Sequence, residues 1–124
     1  ITEYRIGTYI YNDRSLVDRD ICGWADCAAH VLATVVSTPT PERAIIDAGA
    51  KVLTSDLSGF LDYGYVRDHP EVSIVGLSEE HGILKVNPEK PLAIGERIWI
   101  VPLNTCCNST LHTSTSLDPH ALYL

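Results

Sequence analysis

The stretch VSIVGL-SEEHG-ILKV, residues 72–86, is typical of a β-hairpin. Both arms combine apolar side chains with high strand propensity, and the polar turn between them ends at Gly82. Similar short apolar runs, bounded by turn-forming residues, predict further strands at residues 8–11, 28–37, 43–47, 63–66 and 97–101. The hairpin is therefore expected to be one element of a larger sheet.

The segments between these runs are shorter and more polar. Residues 14–26 are predicted to form a loop with at most a helical turn, and residues 51–54 are a weaker candidate for extending the sheet. No strand is predicted after Pro102. Short strands at regular spacing, joined by glycine and proline turns, predict a mainly β fold, a compact antiparallel barrel or sandwich with little helix. We expect residues 1–124 to form a single domain.

Composition excludes several classes of function. The chain of 124 residues has a formal net charge of -7 and a pI near 5.0, so it lacks the basic surface that a nucleic-acid binder needs. Its longest apolar stretch, residues 31–36, is too short to cross a bilayer, and no secretory signal is visible. We expect a cytoplasmic protein that does not engage membranes. Because the chain has no methionine, we also expect it to be a piece of something longer.

The four cysteines come as two close pairs, Cys22 with Cys27 and Cys106 with Cys107. A structural zinc site would favour two C-x2-C-like knuckles, and neither pair has that spacing. Reduced thiols are therefore the default prediction, and a small zinc-stabilised interaction domain is the minor alternative.

Three segments carry a resemblance to a known family: RIGTYIYND at residues 5–13, the stretch at residues 31–56, and GLSEEHG at residues 76–82. Together they resemble the C-terminal β domain of fold-type III pyridoxal-phosphate enzymes, the alanine-racemase-like group, and within it the D-threonine aldolases and D-serine dehydratases. The resemblance covers roughly residues 3 to 102.

The resemblance implies a lyase that acts on D-3-hydroxy amino acids, either an aldolase or a dehydratase. It implies that pyridoxal phosphate (PLP) is bound by a lysine of a (β/α)8 barrel absent from this chain, next to a zinc or manganese ion. The β domain would close that active site and support a homodimer, and the isolated chain would be inactive. The alternative is a non-catalytic binding or interaction module that has lost the metal site.

The resemblance also assigns metal positions. Residues 102–107 align with the family segment in which a histidine and then a cysteine or aspartate bind the metal. Cys106 falls on the second ligand position, and Asn104 stands where the family has the histidine. The structural alternatives are that Cys106 is a small buried cysteine and that Asn104 is a turn-forming asparagine. His112 is a further candidate for the missing imidazole.

Two other residues are candidates for the active site. Tyr9 is expected to line the cofactor pocket, on the same strand face as Tyr11, although packing is an equal alternative. His81, beside Glu79 and Glu80, is the candidate catalytic acid or base, and a structural histidine in the hairpin turn is the alternative.

Overall fold

The chain is described here from a computed structural model, which covers residues 2–3, 7–105, 116–118 and 121–123. Strands dominate the described residues, and the helical pieces are single turns. The strands are β1 Ala29–Thr40, β2 Arg43–Ile46, β3 Gly64–Val66, β4 Ser73–Leu77, β5 Gly82–Lys85, β6 Arg97–Pro102, β7 Ser116–Asp118 and β8 Ala121–Tyr123. The helices are α1 Arg14–Val17 and α2 Ala50–Leu53, with 3-10 turns at Thr8–Ile10 and Trp24–Asp26.

Six antiparallel strands form a nearly closed barrel in the order β3-β6-β1-β2-β5-β4. The two outer strands approach each other, because the Tyr63 amide beside β3 donates to the Ile74 carbonyl of β4 at 3.1 Å. Register shifts near Ser37 interrupt the pairing of β1 with β2, and such irregularities let a long strand curl around a core. The predicted mainly β, antiparallel barrel is confirmed.

The core fills the inside of this barrel. Alternate residues of β1, Val31, Ala33 and Val35, are buried there, and Ile98 and Ile100 of β6 face them. Burying each large aliphatic side chain contributes roughly 1.5–3 kcal/mol. The predicted hairpin is also confirmed, with Ile74 paired to Leu84 across β4 and β5.

The strand predicted at residues 8–11 is wrong. Residues Thr8–Ile10 form a 3-10 turn, and the Tyr11 carbonyl accepts a hydrogen bond from the Ala28 amide at 2.7 Å. Asn12 follows with a φ of 53°, a left-handed conformation that asparagine tolerates and that a strand does not contain. An alternating run of four residues fits a helical turn as well as a strand, so Tyr9 and Tyr11 do not share a sheet face.

Two further expectations need correction. Residues 51–54 do not extend the sheet, because α2 turns the chain there and buries Leu53. The segment after Pro102 does contain strands, since β7 pairs with β8, and β8 pairs in parallel with the start of β1. Each is three residues long, too short to show an alternating pattern, and the pairing depends on a distant partner strand. The described helices, at four residues each at most, are too short to cross a membrane.

Candidate functional site

Every described candidate residue lies at one end of the barrel. Because β3 and β5 run in the same direction as β1, all three begin at this end, and β6 and β4 finish there. We call it the basal end, defined by Ala29, Gly64, Leu77 and Pro102. The N-terminal segment, the turn at residues 78–81 and the exit of β6 therefore lie at the same end of the barrel.

Asp13 ties the N-terminal segment to the exit of β6. Its side chain is buried, and its Oδ2 accepts a hydrogen bond from the Thr105 amide at 3.1 Å. Its Oδ1 accepts from the Ser15 hydroxyl at 2.6 Å and from the Leu16 amide at 3.3 Å, which caps α1. The Thr105 hydroxyl in turn donates to the Asn12 carbonyl at 2.8 Å. Two segments that lie more than ninety residues apart are thus joined directly.

Arg14 fixes a second loop to the same region. Its guanidinium donates to the Gly64 carbonyl at 2.8 Å and pairs with the Asp62 carboxylate. The same group lies 5.3 Å from the centre of the Phe60 ring, a cation–π contact. The loop before β3 is therefore held against α1, with Leu61 left 96% exposed at its tip.

Tyr9 lies at this end but points largely into solvent, with 61% of its surface exposed. The neighbouring Ile10 is 60% exposed. A 3-10 turn that displays two large apolar side chains is unusual for a surface that stays in water. The predicted role of Tyr9 in a cofactor pocket stays a prediction.

His81 occupies the turn between β4 and β5, where its backbone closes the turn. Its amide donates to the Ser78 hydroxyl at 3.1 Å, and its carbonyl accepts from the Ser78 amide at 2.8 Å. Gly49 packs so closely against this turn that a Cβ there would lie 2.5 Å from the His81 nitrogen. The imidazole itself is exposed, so the geometry is compatible with both the structural role and the proposed acid–base role.

The predicted metal positions are described only in part. Asn104 is half-buried between the buried residues Leu103 and Thr105, whereas Cys106 and His112 lie outside the described residues. Within the part of the chain that the structure covers, no three His, Cys, Asp or Glu side chains are grouped closely enough to hold a metal ion. Zinc prefers nitrogen and sulfur donors, which the Asn104 amide does not supply. The described residues therefore do not fit a zinc centre by themselves.

The lysines do not fit a covalently held PLP. Lys51, Lys85 and Lys90 are the three lysines of the chain, and all are exposed. Lys51 pairs with Glu80 and, at 3.6 Å, with Glu79, and its hydrogen bond to Glu80 raises the pKa of its ammonium group. A lysine that attacks a carbonyl needs a lowered pKa and a desolvated pocket. Covalent attachment of that cofactor thus requires residues that this chain does not supply.

The buried residues Asp13 and His30 had no role in the sequence-based predictions, which treated Cys27 only as a reduced thiol. His30, 5% exposed at the start of β1, stands edge-on to Trp99, and its Nε2 has no hydrogen-bond partner. Burial, reinforced by Arg67, lowers its pKa.

Cys27 is free and buried, and burial together with the nearby Cys22 raises the pKa of its thiol to about 12. For Asp13, the sequence did offer a signal: the Asn12-Asp13 pair stands before a helical turn, which is typical of a helix cap.

The opposite, apical end of the barrel carries an open groove of about 380 Å³. Its walls are mainly prolines, threonines and aliphatic residues, and Arg43 is the charged side chain among them. This groove brings together no acid–base or nucleophilic groups. The basal end holds the better candidate site.

Comparison with known families supports the resemblance. The family model described as "Putative serine dehydratase domain" matches residues 28–116, which is well over half of the chain. The chain belongs to this family. A protein of Mycobacterium tuberculosis, described as uncharacterized, is 33% identical over 96 residues, covering 73% of this chain and 72% of its own length.

The enzymes among its relatives are longer. The D-serine dehydratase of Dictyostelium discoideum is 27% identical, covering 90% of this chain and 32% of that enzyme. The D-threonine aldolase of Arthrobacter sp is 29% identical, covering 90% of this chain and 29% of the enzyme. This family member therefore spans about a third of the length of those two enzymes.

A solved structure shares the fold. The D-threo-3-hydroxyaspartate dehydratase of Delftia sp. HT23 superposes with a TM-score of 0.71 at 28% identity, over 94% of this chain and 36% of that chain. The fold and the family assignment thus agree.

Proposed function

We propose that this family member is the C-terminal domain of a PLP-dependent lyase that acts on D-3-hydroxy amino acids. In this proposal the domain closes one side of the active site, contributes to a homodimer contact in the cytoplasm, and is not catalytic alone. The observation that carries it is the coverage: nearly the whole chain aligns with a dehydratase and an aldolase of D-amino acids, of which it makes up about a third. The remaining two thirds of such an enzyme would hold the cofactor that the exposed lysines here do not fit.

The basal end is the face that would cover the active site. The segments at this end carry the exposed apolar side chains of Tyr9, Ile10 and Leu61. Isolated exposed apolar residues need no explanation, but a group of them at one end of a small barrel is typical of an interface. We propose the PLP-binding barrel as its partner, because that is the portion of the related enzymes that this chain does not match.

Within this interface the candidate residues keep the roles that the resemblance implies. Tyr9 would line the cofactor pocket, and His81 would transfer a proton at the substrate. Cys106 and Asn104 would face a zinc or manganese ion bound mainly by other donors. A related dehydratase structure, a variant with a TM-score of 0.71 and 27% identity, is described as the metal-free form, which supports a metal in the family.

A fusion tests the proposal. This chain would replace the matching third of the D-serine dehydratase of Dictyostelium discoideum, and consumption of D-serine and D-threonine would be measured with added PLP. We expect activity from the fusion, and none from either portion alone. Activity of this chain alone would contradict the view that it is not catalytic by itself. A folded fusion whose two portions fail to associate would contradict the docking role.

The comparable length of the mycobacterial relative favours a second candidate, a non-catalytic module derived from the same domain. It predicts that the fusion is folded but inert, and that the chain holds no zinc by elemental analysis. One tightly bound zinc per chain would instead support the small zinc-stabilised domain.

A further inference from the structure

Residues 103–105 leave the barrel immediately after β6, where regular pairing ends. The last pair in the ladder of β3 with β6 joins Gly64 to Pro102. Beyond it, Leu103 is buried, and Thr105 makes two hydrogen bonds, one to the Asp13 carboxylate and one to the Asn12 carbonyl. These two bonds attach the backbone and the side chain of Thr105 to the N-terminal segment.

The attachment is buried and has a fixed direction. Asp13 and Thr105 are each 1% exposed, so water does not compete for these bonds. The bond through the Thr105 amide fixes the backbone, and the bond through the hydroxyl fixes the side chain of the same residue. Asn12, whose carbonyl is one of the two acceptors, has a left-handed backbone with a φ of 53°.

A carboxylate suits this position for a chemical reason. Its two oxygens accept from donors on opposite sides, the Thr105 amide on one and the Ser15 hydroxyl with the Leu16 amide on the other. A carboxamide of the same shape would turn an N–H group toward one of these donors, which removes a bond and leaves a buried amide without an acceptor.

We propose that Asp13 is a positioning residue, whose carboxylate holds the segment of residues 103–105 in place at the basal end. Its catalytic meaning rests on the proposed function, because that segment would then form part of the active-site wall. The attachment itself does not depend on any cofactor, so it can be measured in the chain alone.

Amide hydrogen exchange of the Asp13→Asn variant tests the attachment. We expect exchange at Thr105 to rise about tenfold, while exchange at Ile100 in β6 stays as in the wild type. The matched control is Asp26→Asn, which makes the same charge change in the same segment. Asp26 accepts a hydrogen bond from the Gly23 amide at an exposed site, at 2.8 Å. This control should leave Thr105 unchanged.

Three results would overturn the proposal: unchanged exchange at Thr105 in Asp13→Asn, an equal rise at Ile100, or the same rise in Asp26→Asn. If Asp13→Asn does not fold, Asp13→Glu serves instead, because it keeps the charge but moves the carboxylate from its place opposite the Thr105 amide. We expect about a fivefold rise in exchange at Thr105 in that variant, and no rise would equally overturn the proposal.

The fusion enzyme supplies the functional measurement. There, Asp13→Asn should lower kcat by about tenfold or more and leave KM within about twofold, since a misplaced catalytic wall affects the reaction more than substrate binding. Loss of the attachment with unchanged kcat would overturn the positioning role alone. A wild-type fusion without activity would contradict the proposed function, and the exchange measurement would still decide whether the attachment exists.

Discussion

His30 carries a ring nitrogen without a partner in an environment that disfavours its charge. Trp99 stands edge-on to the ring at a centroid distance of 6.3 Å, and burial and then Arg67 lower the pKa of the imidazole. The His30 ring therefore binds a proton less readily in the folded protein than in the unfolded chain, where its pKa has the ordinary value near 6.5.

The sign of the pH dependence follows from this difference in proton binding. The unfolded state binds more protons than the folded state below about pH 6.5, so the free energy of unfolding should fall as the pH decreases through that range. One proton accounts for a slope of at most about 1.4 kcal/mol per pH unit. Urea unfolding between pH 7.5 and 5 measures it. His30→Phe should flatten this slope, and the exposed His81→Phe should not; an unchanged slope in His30→Phe would contradict the account.

A second prediction at this scale concerns the reactivity of the Cys27 thiol. Its thiol is buried, and burial together with Cys22 raises its pKa to about 12, so the reactive thiolate is scarce at pH 8. Iodoacetamide should modify Cys27 at least about tenfold more slowly than the half-buried Cys22. Peptide-resolved mass spectrometry separates the individual cysteines. The two rates should converge in denaturant, and similar rates in the folded protein would be the contrary result.

At the scale of elements, α2 and the turn between β4 and β5 form one packed unit. The amides of Ala50 and Lys51 donate to the carbonyls of Ser78 and Glu79 at 2.8 and 3.1 Å. This close approach needs a residue without a side chain at Gly49, where a Cβ would meet backbone atoms of the turn at 2.5 Å. The atoms that the added Cβ would meet belong to the backbone of Glu79 and His81, which cannot rotate aside as a side chain can.

Gly49→Ala should therefore lower the free energy of unfolding by roughly 1–3 kcal/mol, the usual cost of overpacking. The matched control is Gly23→Ala, where the nearest atom, 3.5 Å from the added Cβ, belongs to the Asp26 side chain. That change should stay within about 0.5 kcal/mol. Chemical unfolding compares the two variants, and equal losses would show that the contact at Gly49 is not the cause.

The elements also show what sequence alone can predict. The long strands of the barrel were predictable because apolar runs rich in β-branched residues and bounded by turn residues mark them, as in β1 and β6. The 3-10 turn at Tyr9, the helix α2 and the short strand β8 were not, because distant partners decide their conformations. The same reasoning proposed Tyr9, His81 and Asn104, whose roles stay predictions, and missed Asp13, whose partner Thr105 lies 92 residues away.

At the scale of the whole molecule, the two ends of the barrel differ in character. The apical end has a proline-rich groove, with rigid walls and a single charged lining side chain. The basal end holds the candidate residues, the buried Asp13 and the exposed apolar tips of its loops. A domain that covers the pocket of a neighbour should present its apolar and functional groups on the same face, and under the proposed function we expect the basal end to be that face.

This asymmetry gives a paired test of the docking surface. Leu61 at the basal end is 96% exposed and Ile94 toward the apical end is 67% exposed, so neither contributes much to the core. Leu61→Asp should weaken association of the chain with the separately produced barrel portion at least about tenfold, because a buried interface leaves the new carboxylate without water or a partner. Ile94→Asp should bind as the wild type does.

Isothermal titration measures the binding of both variants, and circular dichroism checks that both fold. Equal weakening would point to net charge rather than to a surface, whereas unchanged binding in Leu61→Asp would move the docking face away from this loop.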